Sequence, residues 1–242
     1  MSTPSQQRAV TPRLWLVRHG QTDWNAVGRI QGQTPTELNA VGRAEAVALA
    51  DQLVRAGRGG RRFVACYASD LPRAAQTAEI LARPFGLSVQ TRVDLRERNF
   101  GPYEGLFPDA IRAARVAAGL SPSGDLADWT GMPDVESNDQ LWSRSAAALH
   151  EISAIHAHQA PCDILVVTHG GVMARAIYRT LGIPDGTPRH FPLSNGIIAV
   201  LEASSSSGTE SFRLLTFADL RLLGGESPAL DTATMPTQGV RG

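Results

Sequence analysis

Apolar positions along the chain fall in short runs that stop abruptly at polar residues, separated by stretches with helical spacing. Residues 13–17 and 164–167 read as short buried strands, and residues 63–67 and 87–92 as two further strands. Asn39 is placed to cap a helix that runs to about residue 56, with Val47, Ala50 and Val54 on one face. Pro72 suits the first turn of a helix ending near residue 82, before Arg83-Pro84. Residues 106–118 read as a helix and 119–136 as a loop. Ser137 with Gln140 resembles a capping box. The helix it opens reaches about residue 156 and carries Leu141, Ala148, Ile152 and Ile155 on its apolar face. A further helix opens after His169-Gly170-Gly171 and reaches about residue 181. Strands at 196–201 and 212–217 follow, with the serine run 204–207 as their hairpin loop. Alternation of strand and helix up to residue 181, then two consecutive strands, predicts an α/β fold. The expected form is a three-layer α/β/α sandwich on a mostly parallel sheet with an antiparallel edge strand.

Composition narrows the partners more than the fold. The 242 residues are 43% hydrophobic and 19% charged, which suits one large α/β domain or two small ones, and a single domain over residues 13–223 is expected. Residues 1–12 are expected to be disordered and residues 224–242 to form a mobile tail. The formal net charge is zero, so nothing global points to nucleic acid or an anionic membrane. The two cysteines, Cys66 and Cys162, form no C-x-x-C and fit a reducing compartment. No signal-like core or membrane-length apolar run is present, so a cytoplasmic protein is expected. The basic stretch 57–62 reads as a solvated connection. His150, His156 and His158 read as a solvated helix end, because no carboxylate or cysteine sits beside them at ligand spacing.

Candidate chemistry lies where the strands stop. The first strand delivers Arg18 and His19, the second Ser69 with Arg73 one helical turn on, and the strand at 164–167 delivers His169. In a parallel sheet these ends share one edge, so residues distant in sequence can converge. Two arginines and two histidines around one point make a pocket for a doubly charged anion. The helix start after Gly170-Gly171 adds backbone N–H groups and its dipole. Phosphate is the natural guest.

Four motifs then occur in order: Arg18-His19-Gly20 with Thr22 and Asn25; Ser69-x-x-x-Arg73-x-x-x-Thr77; Leu95-x-Glu97 followed by Phe100-Gly101-x-x-Glu104-Gly105; and His169-Gly170-Gly171. Together they resemble the histidine phosphatase superfamily over about residues 13–218. Two departures are modest: Gln21 replaces a common glutamate, and Val135-Glu136-Ser137 stands where Gly-Glu-Ser is usual.

The resemblance implies that His19 is the nucleophile and becomes phosphohistidine. It implies that Arg18 and Arg73 clamp the phosphoryl oxygens, with His169 and Asn25 as further donors. Glu97 would protonate the leaving oxygen and later activate water. Neutral imidazole is a competent nucleophile, provided its other nitrogen is held by an acceptor such as a nearby backbone carbonyl. Glu104 is the rival carboxylate. Gln31, Gly32 and Gly170 stand where substrate is contacted, although Gln31 and Gly32 read equally well as plain loop residues. Ser69 reads as a turn residue, and Trp15 and Trp24 as packing.

The activity so implied is metal-independent hydrolysis of small phosphomonoesters. The alternative is mutase-type phosphoryl transfer, as in the cofactor-dependent phosphoglycerate mutases. A non-catalytic scaffold is disfavoured because His19, Arg18, Arg73, Glu97 and His169 are all present. Against the mutase, residues 108–133 are Ala/Gly/Ser-rich, include Asp125 and Asp128, and carry Arg112 and Arg115 as the basic residues able to reach the pocket. His169-Gly170-Gly171-Val172 also looks more like the phosphatases. No cofactor and no metal are implied. The expected partner is a small phosphorylated metabolite, without nucleic acid or membrane, and a homodimer is left open.

Overall fold

The computed structural model describes residues 11–56, 62–121, 129–185, 187, 193–206 and 209–219. The strands are β1 (Arg13–Arg18), β2 (Phe63–Ser69), β3 (Val89–Arg92), β4 (Asp163–Thr168), β5 (Ile197–Ser206) and β6 (Thr209–Asp219). The helices are α1 (Asp23–Ala26), α2 (Ala40–Ala56), α3 (Pro72–Ala82), α4 (Pro108–Ala117), α5 (Asn138–Ile155) and α6 (Gly170–Leu181). The strands form one sheet in the order β3-β2-β4-β1-β5-β6. β3, β2, β4 and β1 are mutually parallel, and the antiparallel pairings β1–β5 and β5–β6 lie toward one edge.

Alternation along each strand sends side chains to both faces. Leu14 and Leu16 of β1 join Ile164 and Val166 of β4 on the face covered by α5 and α6. Val17, Leu165 and Val167 join the opposite face, under α2 and α3. Both faces being apolar is why β1 and β4 read as near-continuous hydrophobic runs. A third cluster, Tyr103, Ile111, Trp129 and Met132, packs α4 against the loops beside the strand ends.

Several local expectations are corrected. The buried stripe of α2 is Ala46, Leu49, Ala50 and Leu53, while Val47 and Val54 face outward. That stripe carries two leucines, whose burial gains more than that of two valines. In α5 the stripe ends at Ile152, and Ile155 is exposed. His156 is not a solvated helix end: it is buried, with Nε2 3.0 Å from the Tyr67 hydroxyl and Nδ1 3.2 Å from Gln159 Nε2. His150 packs on Phe212 at 4.1 Å between ring centroids. The serine run is mostly strand, since β5 continues through Ser206 and Ser204 pairs with Ser211. A backbone ladder satisfies its own donors and acceptors whatever the side chains. Of the segment expected to be disordered, Thr11 and Pro12 are placed, and Pro12 is buried. Residues 1–10, the basic stretch 57–61, Asp125 and Asp128, Ser207 and the tail from 220 lie outside the described residues.

Candidate active site

The parallel register brings the two histidines together. Arg18 pairs with Thr168 across β1 and β4, and the His19 N–H donates to the Thr168 carbonyl at 3.0 Å. The next residue on each strand therefore projects from the same edge, and the His19 and His169 rings lie 5.1 Å apart. Arg73 arrives from the first turn of α3, where Pro72 fixes the helix start. Its Nε donates to His19 Nε2 at 3.2 Å. Its remaining nitrogens are held by the Gly32 and Thr34 carbonyls at 2.7 and 2.9 Å and by Thr36 Oγ1 at 3.2 Å. Arg73 is 1% exposed, so its orientation is fixed before any ligand arrives. Arg18 is anchored by a bond to the Leu193 carbonyl.

These contacts assign the tautomer of His19. Nδ1 lies 2.7 Å from the Gly20 carbonyl, which can only accept, so the proton sits on Nδ1. Nε2 then carries the lone pair, consistent with Arg73 donating to it. Burial, reinforced by the Arg73 and Arg18 charges, holds the imidazole well below its ordinary range, so it is neutral at pH 7. Burial and the same arginines hold His169 down as well. Both ring nitrogens of His169 are buried without a hydrogen-bond partner in the protein. Buried polar atoms seldom go unsatisfied, so a donor and an acceptor are left over beside His19. Burial brings the Arg73 guanidinium down to about 10, which leaves it cationic at neutral pH.

Structure separates the two rival carboxylates. Glu97 lines the cavity, and its Oε2 accepts from the Gly171 N–H at 2.9 Å while Oε1 accepts from the Arg98 N–H at 2.7 Å. The start of α6 thus holds the carboxylate, as the helix dipole favours. Gly171 leaves room for the carboxylate in this seat, because a Cβ there would stand 2.1 Å from Glu97 Oε1 and push it aside. Glu104 instead braces a loop, accepting from the Gln33 N–H at 2.8 Å, Phe100 N–H at 3.2 Å and Thr34 hydroxyl at 2.7 Å. Gly20 is needed for a close backbone crossing: a Cβ there would meet the Gly42 carbonyl oxygen at 2.4 Å. Thr77 locks the same turn, accepting from the Gly20 N–H at 3.0 Å and donating to the Arg73 carbonyl at 2.7 Å. Ser69 is a turn residue whose oxygen accepts from Leu71 N–H.

The cavity holds about 360 Å³, and Arg18, His19, Asn25, Gln31, Gly32, Arg73, Glu97 and Gly170 all line it. His169, expected among the ligand-contacting residues, is fully buried behind His19 and does not itself line the cavity. Asn25 Oδ1 closes a capping box with Thr22, and Gln31 Oε1 accepts from the Thr22 and Thr36 hydroxyls at 2.9 and 2.6 Å. Those two oxygens therefore shape the loop. Arg112 and Arg115 do not reach the site: Arg112 pairs with Asp109 and Arg115 donates to the Ser121 carbonyl. Arg29, Arg98 and Arg175 also line the cavity, all three absent from the expected set, and Arg175 pairs with Asp185. Asn195 was also missed; its amide donates to the His19 carbonyl at 2.8 Å. Its position follows from the antiparallel pairing of Ile198 with Val17, which brings residues 195 and 196 back beside Arg18. Among the described residues no group of three or more His, Cys, Asp or Glu could hold a metal, and no helix is long and apolar enough to cross a membrane.

Two histidines, two arginines and one carboxylate thus converge at one parallel strand edge. Residues 14–214 match the histidine phosphatase superfamily (branch 1), and the chain belongs to that superfamily. Among its relatives is an Arabidopsis thaliana metal-independent phosphoserine phosphatase, 42% identical over 170 residues. That match covers 67% of this chain and 66% of the relative, so the chain spans slightly under two thirds of that protein's length. A phosphoglycerate mutase-like protein of the same plant is 39% identical over 164 residues, covering 67% of this chain and 68% of the relative. The solved structure of a mycobacterial glucosyl-3-phosphoglycerate phosphatase complexed with VO3 superposes with a TM-score of 0.70 at 31% identity. It covers 85% of this chain and 98% of that one.

Proposed function

We propose that this protein is a metal-independent phosphomonoesterase that works through a phosphohistidine on His19. The observation that carries the reading is the neutral His19 ring. Its Nδ1 proton is fixed on Gly20, and its Nε2 lone pair sits among Arg18, Arg73 and His169. In the first step Nε2 attacks phosphorus and the bond to the ester oxygen breaks. The departing oxygen takes a proton from Glu97. In the second step water attacks phosphorus, Glu97 takes its proton, and the P–N bond breaks to release inorganic phosphate. Splitting hydrolysis in two lowers each barrier. Phosphoryl transfer depends mainly on positioning and charge stabilisation, which the two guanidinium groups and His169 supply.

The outer wall bears on the substrate. The Arg98 guanidinium is buried, donates to the neutral oxygens of Glu136 (backbone) and Asn138, and forms no ion pair among the described residues. Arg175 lines the same cavity but pairs with Asp185. The Arg98 charge favours a substrate bearing a second acid group, in keeping with the relatives named for phosphoserine and glucosyl-3-phosphoglycerate. We place the protein in the cytoplasm, because Cys66 and Cys162 are both buried and neither is in a disulfide. The test is phosphate release from an aryl phosphate and from acidic phosphomonoesters, with a strong chelator present. Release undiminished by the chelator is expected. Loss restored only by added metal overturns the metal-independent mechanism. Primer-dependent interconversion of 3- and 2-phosphoglycerate faster than phosphate release overturns the phosphatase reading in favour of the mutase.

A further inference from the structure

Glu97 lies in a segment that is neither helix nor strand. A short 3₁₀ turn covers Val93–Leu95, and from Arg96 the chain is extended without a strand partner. Such a backbone cannot satisfy its own carbonyls, so partners have to come from elsewhere. The Leu95 carbonyl accepts from Thr168 Oγ1 at 2.9 Å. The carbonyls on either side of it are served by one side chain, Arg144, in the second turn of α5.

Arg144 uses every donor it has. Nη1 donates to the Asp94 and Arg96 carbonyls at 3.0 and 2.7 Å. Nη2 donates to the Glu97 carbonyl at 2.9 Å and to Glu136 Oε2 at 2.8 Å. Nε donates to Glu136 Oε1 at 2.6 Å. An arginine has five N–H groups in a rigid fork, and all five are engaged here. Glu136 closes the arrangement by accepting from the Asn99 N–H at 3.0 Å, on the far side of Glu97. One ion pair thus bonds the segment on both flanks of Glu97, with Gln33 Nε2 adding a bond to the Glu97 carbonyl at 3.1 Å, while the hydrogen bonds to its carboxylate among the described residues come from the Gly171 and Arg98 N–H groups.

We propose that Arg144, locked in place by Glu136, is the positioning residue for the Glu97 carboxylate, setting its reach to the ester oxygen from outside the cavity. This rests on the reading of Glu97 as proton donor. The clamp acts on proton transfer and leaves His19, Arg18 and Arg73 in place. Its loss therefore falls on substrates whose leaving group needs the proton. A displacement of the order of 1 Å in a reacting group can cost about 100-fold.

The experiment compares kcat/KM on an alkyl phosphomonoester and on para-nitrophenyl phosphate, whose leaving group departs as a stable anion. The variants are Arg144→Lys, Glu97→Gln and the double variant. Lysine keeps the charge and up to three donors, so the fold is retained, and a thermal melt checks it. The expected result is that Arg144→Lys loses about tenfold more on the alkyl ester than on the aryl ester. In the Glu97→Gln background the same change adds no further selectivity, because both act through one group. Equal losses on the two esters, or selective losses that simply multiply in the double variant, overturn the positioning role while leaving Glu97 intact. If Glu97→Gln itself shows no leaving-group selectivity, the proton-donor reading fails and this proposal falls with it. Hydrolysis of neither ester by the unmodified protein is the separate failure of the phosphatase reading.

Discussion

Replacing Gly171 by alanine separates activity from stability. Gly171 occupies the second position of α6, where alanine is a better helix former by about 0.5–1 kcal/mol, so the fold gains slightly or is unchanged. The new methyl would stand 2.1 Å from Glu97 Oε1, and ordinary contact begins at 3.4 Å. The carboxylate is the end of a flexible side chain, so it moves away by about 1.3 Å and gives up its 2.9 Å bond to the Gly171 N–H. A shift of that size in a proton donor corresponds to about 100-fold in rate, or about 2.7 kcal/mol in the barrier. The loss should fall on alkyl phosphomonoesters, with para-nitrophenyl phosphate much less affected. Steady-state kcat/KM on both substrates, with a thermal melt of each protein, is the assay. A loss below about threefold on the alkyl ester, or an equal loss on both, would refute the assignment of Glu97 and the tightness of its seat.

Two further outcomes follow from the same geometry. Arg73→Met removes a fixed cation that serves every substrate, so kcat/KM should fall about 10³–10⁵-fold on aryl and alkyl esters alike, as steady-state kinetics would show; a loss confined to alkyl esters would reassign Arg73 to proton transfer. His19 and His169 are both held below the ordinary imidazole value of 6.5, so the unfolded chain binds more protons than the fold as pH drops past that value. Their contribution to stability is complete above about pH 6.5 and is lost as pH falls toward the folded values. Urea midpoints at about pH 7.5 and 5.5 should show the fall, and a smaller one in His169→Asn; an identical fall in that variant would contradict the linkage.

The residues at strand ends were legible because their signal is local: an apolar run is followed directly by Arg18-His19-Gly20 in one place and by His169-Gly170-Gly171 in another. Glu97 and Glu104 could not be separated by such reasoning. Both sit in one glycine-rich segment, and what divides them is the return of residues 33 and 34 onto Glu104. Asn195 was hidden for a related reason, since only the β1–β5 register places it beside His19. Arg98, Arg144 and Arg175 look in sequence like ordinary surface charges on helices and loops. Their role comes from burial and from the carbonyls or cavity they face, which depend on packing between segments far apart in the chain. The α2 stripe failed for a smaller cause, two competing helical faces of similar apolarity decided by leucine against valine.

The proposed mechanism turns on one covalent bond, between His19 Nε2 and phosphorus. Rapid quench of the protein with a labelled phosphomonoester, in alkali to preserve a phosphoramidate, followed by peptide mapping, reads it directly. Label on His19, at a level that decays at the rate of phosphate release and vanishes in His19→Ala together with turnover, is the predicted result. Label on another residue, or hydrolysis persisting in His19→Ala, would contradict it.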